Sequence, residues 1–181
     1  MSWITKTDVK GMIGTTSTDY DTIIDNLIDY VEGAFKKMAY DLASEEITET
    51  EYINDCDRFV LQKYPVTEIS SFNVFDTEYG TDQITNISYI VDSSAGIIYF
   101  NTKLSGKLVV KYTAGYSTIP SDVKFAVIMQ VIDFLKQKDR LGLVSKGKAG
   151  ESTAYNDSPW LPLFLDVVER YKNVATRRID I

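Results

Sequence analysis

The chain predicts an α+β fold that is mainly helical: a helix pair, a long central helix and a C-terminal helix, with an antiparallel β subdomain inserted at 46–112. Three patterns carry this. Apolar residues recur three and four apart in 24–38 and 161–171, the run 123–135 is apolar on nearly every side, and 46–112 breaks into short β segments separated by turn signals. No strand–helix–strand alternation occurs, so a parallel sheet is not expected.

The segment 7–13 suits a short first helix, and 14–19, rich in Thr and Ser, reads as a loop ending in a cap. A second helix over about 19–39 follows from Ile24, Leu27, Ile28, Val31, Ala34, Phe35 and Met38. Asp21, Asp25, Asp29 and Glu32 form an acidic stripe on another side of it, a candidate subunit or lumen face. The same stripe suits a solvated face, and a cation site would need ligands from elsewhere.

Candidate strands cover 47–53, 58–62, 66–75, 88–91, 96–100 and 107–112, with turns at Ser93-Ser-Ala-Gly96 and Asn101-Thr-Lys-Leu-Ser-Gly106. Asp76, Glu78 and Asp82 lie around Gly80 but lack the spacing and closing glutamate of a calcium loop. Half of the twelve tyrosines fall in this region, as aromatic pairs on a sheet would require.

A strand breaks at Gly115 and the chain restarts as the central helix, where Pro120 fixes the approach, Ser121 can cap and Asp122 suits the helix dipole. Gln130, Asp133 and Gln137 make one narrow wet stripe. Phe125, Ile128, Ile132 and Leu135 are assigned to helix packing or subunit contact. The polar segment 144–157 reads as a flexible loop, Ser158-Pro159 starts the last helix, and 172–181 forms a tail.

Composition narrows the chemistry. With 44% apolar residues in 181, one domain with a real core is expected. There is no histidine, which removes imidazole-based hydrolases, proteases and zinc sites. The single Cys56 cannot form an internal disulfide. The first eight residues lack a leader pattern and no apolar run would span a bilayer, so a soluble chain without membrane contact is expected. Net charge is −7, against general affinity for nucleic acid, yet 136–181 holds nine basic and six acidic residues.

The run Gly142-Leu-Val-Ser-Lys-Gly-Lys-Ala149 imitates a phosphate loop. It lacks the closing Ser or Thr and the strand before it, so no nucleotide, metal or other cofactor is expected and no catalytic residue is assigned.

In the order of these blocks the chain resembles the head-tail connector (adaptor, head-completion) proteins of tailed bacteriophages. The resemblance rests on the helix pair, on Val110-Lys-Tyr-Thr-Ala-Gly-Tyr116, and on Ile119-Pro-Ser-Asp-Val-Lys-Phe-Ala126 leading into the apolar helix. It implies a structural virion protein at the head–tail interface, present in host cytoplasm before assembly. A homo-oligomeric ring, expected to be a dodecamer, would sit beneath the portal protein, extend the DNA channel without sequence-specific binding, and present a surface to a stopper or tail-completion protein. The acidic stripe would then face a neighbour or the lumen. Lys146, Lys148, Lys172, Arg177 and Arg178 would be portal contacts. The alternatives are a carboxylate- and metal-dependent enzyme such as a nuclease, and a soluble cytoplasmic binding domain.

Overall fold

A computed structural model describes residues 2–76, 83–85, 87–137, 145–148, 151–154 and 158–172, with backbone only for the 145–148 and 151–154 stretches. Four helices and an antiparallel sheet are arranged in two compact units, Met1–Asp41 with Ile119–Lys172 and, separately, Leu42–Thr118. The fold is α+β. It is not dominated by helix, because the two longest strands have 16 and 18 residues against 18 and 17 in the two longest helices.

In the helical unit, α1 (Lys6–Ile13) is opened by a reciprocal cap: Thr5 accepts from the Asp8 amide, and Asp8 accepts from the Thr5 amide at 2.8 Å. The bonds from Thr5 hold the Asp8 carboxyl below its usual range. Gly14 ends the helix at φ +76, a left-handed position that glycine occupies without strain. The helix α2 (Asp21–Met38) buries Ile24, Ile28, Val31 and Phe35, the predicted face.

The helix α3 (Ser121–Gln137) buries Val123, Ala126, Val127, Ile128, Gln130, Val131 and Ile132. Its first residue is Ser121, so the expected cap is displaced: the Lys124 amide closes the first turn on the Pro120 carbonyl at 3.1 Å. Asp122 does more than suit the dipole, accepting from the Tyr171 hydroxyl at 3.0 Å. The last helix, α4 (Pro162–Arg170), starts three residues later than expected, since Pro162 rather than Pro159 takes the first-turn position. It buries Phe164, Val167 and Val168, while Leu165 is exposed.

The β unit is organised around one strand. β1 (Glu45–Val60) pairs antiparallel along one side of β4 (Ile97–Ala114); β2 (Val66–Phe75) and the short β3 (Tyr89–Asp92) share the other side. In β4 seven of the nine even positions, Ile98, Phe100, Leu104, Leu108, Val110, Tyr112 and Ala114, are buried, the period of two that one covered face demands, while Thr102 is exposed and Gly106 half-buried. They meet Ile53, Leu61, Val66 and Val74 in a single core.

Two pairs of predicted strands are each one continuous strand. The supposed turn at Asn101–Gly106 lies inside β4, opposite a bulge in β1 between Ile53 and Arg58. Polar and glycine residues there accompany a register shift rather than a chain reversal. At the bulge Asp55 has φ +53, its amide donates to Ser105 Oγ at 2.8 Å, and Lys103 pairs with its carboxylate at 2.5 Å. The Ser93–Gly96 turn is present: the Asp92 carboxylate accepts from the Ser94 hydroxyl and from the Ser94 and Ala95 amides, and these bonds hold its pKa below the usual range.

Within the segment expected as a loop, β5 (Ser145–Lys148) and β6 (Glu151–Ala154) pair as an antiparallel hairpin. Gly142, Val144, Ala149 and Asp157 lie outside the described residues, as do Glu78, Gly80, Asp82, Arg177 and Arg178.

A buried polar group sits in the sheet core. The Tyr112 hydroxyl donates to Glu49 Oε1 and accepts from the Lys63 amide at 3.3 Å, while the Gln62 amide donates to the same carboxylate oxygen at 2.9 Å. Burial, and secondarily the bond to Glu49, raises the Tyr112 pKa well above the ordinary 10.0. A phenol whose folded pKa is raised stabilises the fold fully below its unfolded pKa, and that contribution declines as pH rises above about 10. Sheet unfolding followed by urea titration at pH 8 and pH 11 is therefore expected to show an alkaline loss that Tyr112→Phe abolishes. The variant itself costs about 1–3 kcal/mol at pH 8, because the Glu49 carboxylate loses the phenol donor and keeps the Gln62 amide. An unchanged alkaline slope in the variant would place the titration elsewhere.

Candidate assembly surfaces

The acidic stripe on α2 is not one continuous surface. Lys6 pairs with Asp25 at 3.0 Å and with Asp21 at 3.8 Å, and Lys10 also pairs with Asp21. The partnership with Asp25 raises the Lys6 pKa, and the hydrogen bond from Lys10 lowers that of Asp21. Glu32 leaves the stripe altogether. The step from Asp29 to Glu32 turns the helix back toward Ile28, Val31 and Phe35, and Glu32 is 5% exposed. Its Oε1 accepts from the Ser2 hydroxyl at 2.8 Å and from the Trp3 and Ile4 amides at 2.8 and 3.2 Å. Glu32 thus fixes the N-terminal segment, where a buried backbone needs an acceptor. Only Asp25 and Asp29 of the four remain exposed.

On α3 the predicted packing set divides. Ile128 and Ile132 are buried, Leu135 is half-buried, and Phe125 is 44% exposed. Gln130 corrects the wet stripe, since it is wholly buried: Oε1 accepts from the Leu161 amide at 2.7 Å and Nε2 donates to the Pro159 carbonyl at 3.1 Å. One amide therefore holds two backbone groups of the turn that leads into α4, and the Ser158 hydroxyl bonds the Trp160 amide and carbonyl between them. Gln137 and Asp133 do form the polar edge, bonded to each other at 2.5 Å.

Aromatic rings knit the helical unit. Trp3 meets Phe35 edge-on at 5.3 Å, Phe35 meets Phe164 at 5.9 Å, and Trp160 stacks on Phe164 at 5.0 Å. Tyr30 then stacks on Trp160 and tilts against Phe134, both at 5.9 Å. Tyr30 is 58% exposed, and Ile23 on the same helix and Tyr20 just before it are also exposed. Such a shoulder escaped the sequence reading because the heptad-like pattern marks the buried face only; the exposed Ile23 and Tyr30, seven apart, were the available signal.

Of the basic positions, Lys172 pairs with Glu169 at 2.5 Å. Lys146 and Lys148 stand in β5, within the hairpin, and Arg177 and Arg178 fall beyond the described residues. Among the described residues no cluster of three or more Cys, Asp or Glu is placed to hold a metal ion, and no helix is long and apolar enough to cross a membrane.

The profile of the head completion protein family matches residues 2–174. The chain belongs to the head completion protein family. The resemblance carried by Tyr112–Tyr116 and Ile119–Ala126 is borne out. No curated protein matches this head completion protein in sequence. Among solved structures, a chain of the neck of an empty GTA particle, computed with C6 symmetry, is 15% identical with a TM-score of 0.57, covering 95% of this chain and 90% of that one. A chain of the neck of a native GTA particle, computed with C12 symmetry, is 14% identical with a TM-score of 0.51, covering 93% and 87%. A chain from the virion of a native gene transfer agent particle is 14% identical with a TM-score of 0.52, covering 87% and 80%. At these identities the head completion protein shares their fold.

Proposed function

We propose that this head completion protein is a structural part of the virion neck: a ring of identical copies beneath the portal that continues the DNA channel and offers its far side to a stopper or tail-completion protein. The observation that carries the reading is the family match over residues 2–174, supported by a fold shared with neck chains of gene transfer agent particles. The C12 symmetry of one such neck favours a dodecamer. Each subunit contributes two different surfaces to a closed heterologous ring, in the virion at the head–tail interface and drawn from the host cytoplasm before assembly. The helical unit is the connector proper, with the β unit inserted into it. Its role is mechanical, with no catalytic step.

Charge assigns the faces. A net charge of −7 keeps DNA phosphates from adhering as they pass. Asp25 and Asp29 are the positions we place toward a neighbour or the lumen, and Lys146, Lys148, Lys172, Arg177 and Arg178 those we place toward the portal. Electron microscopy of the purified protein mixed with portal rings tests the reading. Added density in a ring of one copy per portal subunit is expected, together with its loss when residues 173–181 are deleted; bare portals with the full chain at micromolar concentration would overturn it. Reversing Asp25 and Asp29 to Lys is expected to lower infectious titre at least about tenfold while the protein folds normally, since inward-facing lysines would bind phosphate. Wild-type titre would remove these two from the lumen.

A further inference from the structure

The sheet ends in β1 on one side and β2 on the other, and charge guards the two very differently. An end strand offers unpaired amides and carbonyls to any other chain, and charged side chains are the usual protection. β1 carries Glu45, Glu46, Asp55 and Asp57, all exposed. In β2 Glu68 is the one charged residue, and the run from Ile69 to Phe75 has none.

Little else in the β unit bonds to the backbone of β2. Beyond its ladder with β4, and among the described residues, the strand is held at its two ends: the Val66 amide donates to the Ser93 carbonyl at 2.8 Å, the Ile84 amide donates to the Val74 carbonyl at 2.7 Å, and Phe75 bridges to Gln83. Between those ends the register against β4 shifts from Ile69 to Ser71. Ser70 is therefore the extra residue of a bulge, exposed and without a partner on β4.

A groove of about 440 Å³ lies along this stretch. Ile69, Phe72, Ile84 and Ile87 in its lining also pack, half-buried, against the sheet core, and the Tyr89 ring lies 4.5 Å from that of Phe72. The rest of the lining is Ser, Thr and Gln, so no charge enters it.

We propose that this groove docks one extended strand of another protein, a strand that is uncharged, has apolar side chains at alternate positions and pairs with the β2 backbone around Ser70. Backbone bonds hold such a strand, and its alternate side chains reach the apolar part of the lining. A charged strand would bring its charge against a lining with no counter-ion, which sets aside β1 of a second copy. Pairing of β2 with β2 of a second copy is two-fold and closes at two chains, so it cannot propagate around a ring. The groove belongs to the single subunit, and failure of ring assembly would leave it intact.

The test titrates the isotope-labelled full chain with the end-capped peptide Thr-Val-Thr-Val-Thr-Val-Thr. Saturable amide shifts centred on Ile69–Asn73, with slower exchange at Ser70 and Ser71, are expected at peptide concentrations up to about 1 mM. Methylating alternate peptide nitrogens removes backbone donors and keeps the side chains, and is expected to weaken binding at least about tenfold. Ser70→Lys places a charge at the exposed bulge and is expected to weaken binding about tenfold with the urea midpoint unchanged. Absence of shifts, or equal binding of the methylated peptide, would overturn strand docking. Concentration-dependent dimers of the free chain that Ser70→Lys abolishes would assign the edge to a second copy and overturn the partner named here.

Discussion

Phe35→Ala is expected to unfold the helical unit at ordinary temperature or bring it close to doing so. Phe35 is wholly buried, touches Trp3 edge-on at 5.3 Å and Phe164 at 5.9 Å, and so joins the N-terminal segment, α2 and α4 through one ring. Removing such a ring deletes its transfer free energy and leaves a cavity lined by aromatic faces that cannot close around it, a cost of about 3–5 kcal/mol. The edge-to-face geometry adds about 0.5–1.5 kcal/mol per pair. Both tryptophans, Trp3 and Trp160, lie in this unit, so tryptophan emission during urea unfolding reports on it alone. The emission midpoint should fall sharply while hydrogen exchange in β4 stays slow. A shift below about 1 kcal/mol would show that the rings are replaceable packing.

Gly106→Val is expected to damage the β unit as severely, by a different route. Gly106 has φ +126, a backbone conformation closed to β-branched residues, and an added Cβ would overlap the Phe75 carbonyl oxygen. The strain alone costs about 1–3 kcal/mol. Relieving the overlap then requires β2 to move off β4 at their shared end, where Phe75 pairs with Lys107. Loss of exchange protection along 107–114 with unaltered tryptophan emission is the expected signature. Retained protection there would mean that β2 and β4 adapt locally.

How far the sequence could be read depended on whether a signal was local. β2 is expected and found at Val66–Phe75, and the buried face of α2 follows directly from spacing. The misreadings share a cause. Asn101–Gly106 has the composition of a turn, and only its pairing with the distant bulge at Asn54–Cys56 makes it continuous strand. Gln130 looks like a solvent residue within an oily helix until Pro159 and Leu161, about thirty positions away, supply its partners. Glu32 belongs to a row of carboxylates by spacing, and to the N-terminal amides by tertiary contact. For the assembly surfaces, patterning marked Phe125 together with the covered Ile128 and Ile132 without separating them, and Tyr30 stands out only as a large aromatic side chain left uncovered.

The discontinuity of the helical unit also sets a schedule on the ribosome. Its first part, Met1–Asp41, leaves the exit tunnel long before Ile119–Lys172 is made. At roughly 5–20 residues per second the buried side of α2 waits several seconds for α3 and α4. The sheet, by contrast, closes once β4 emerges, because β4 pairs with every other strand of its unit. A nascent chain therefore carries a finished sheet and an unfinished helical face. The apolar side of α2 is thus covered only when translation is nearly complete.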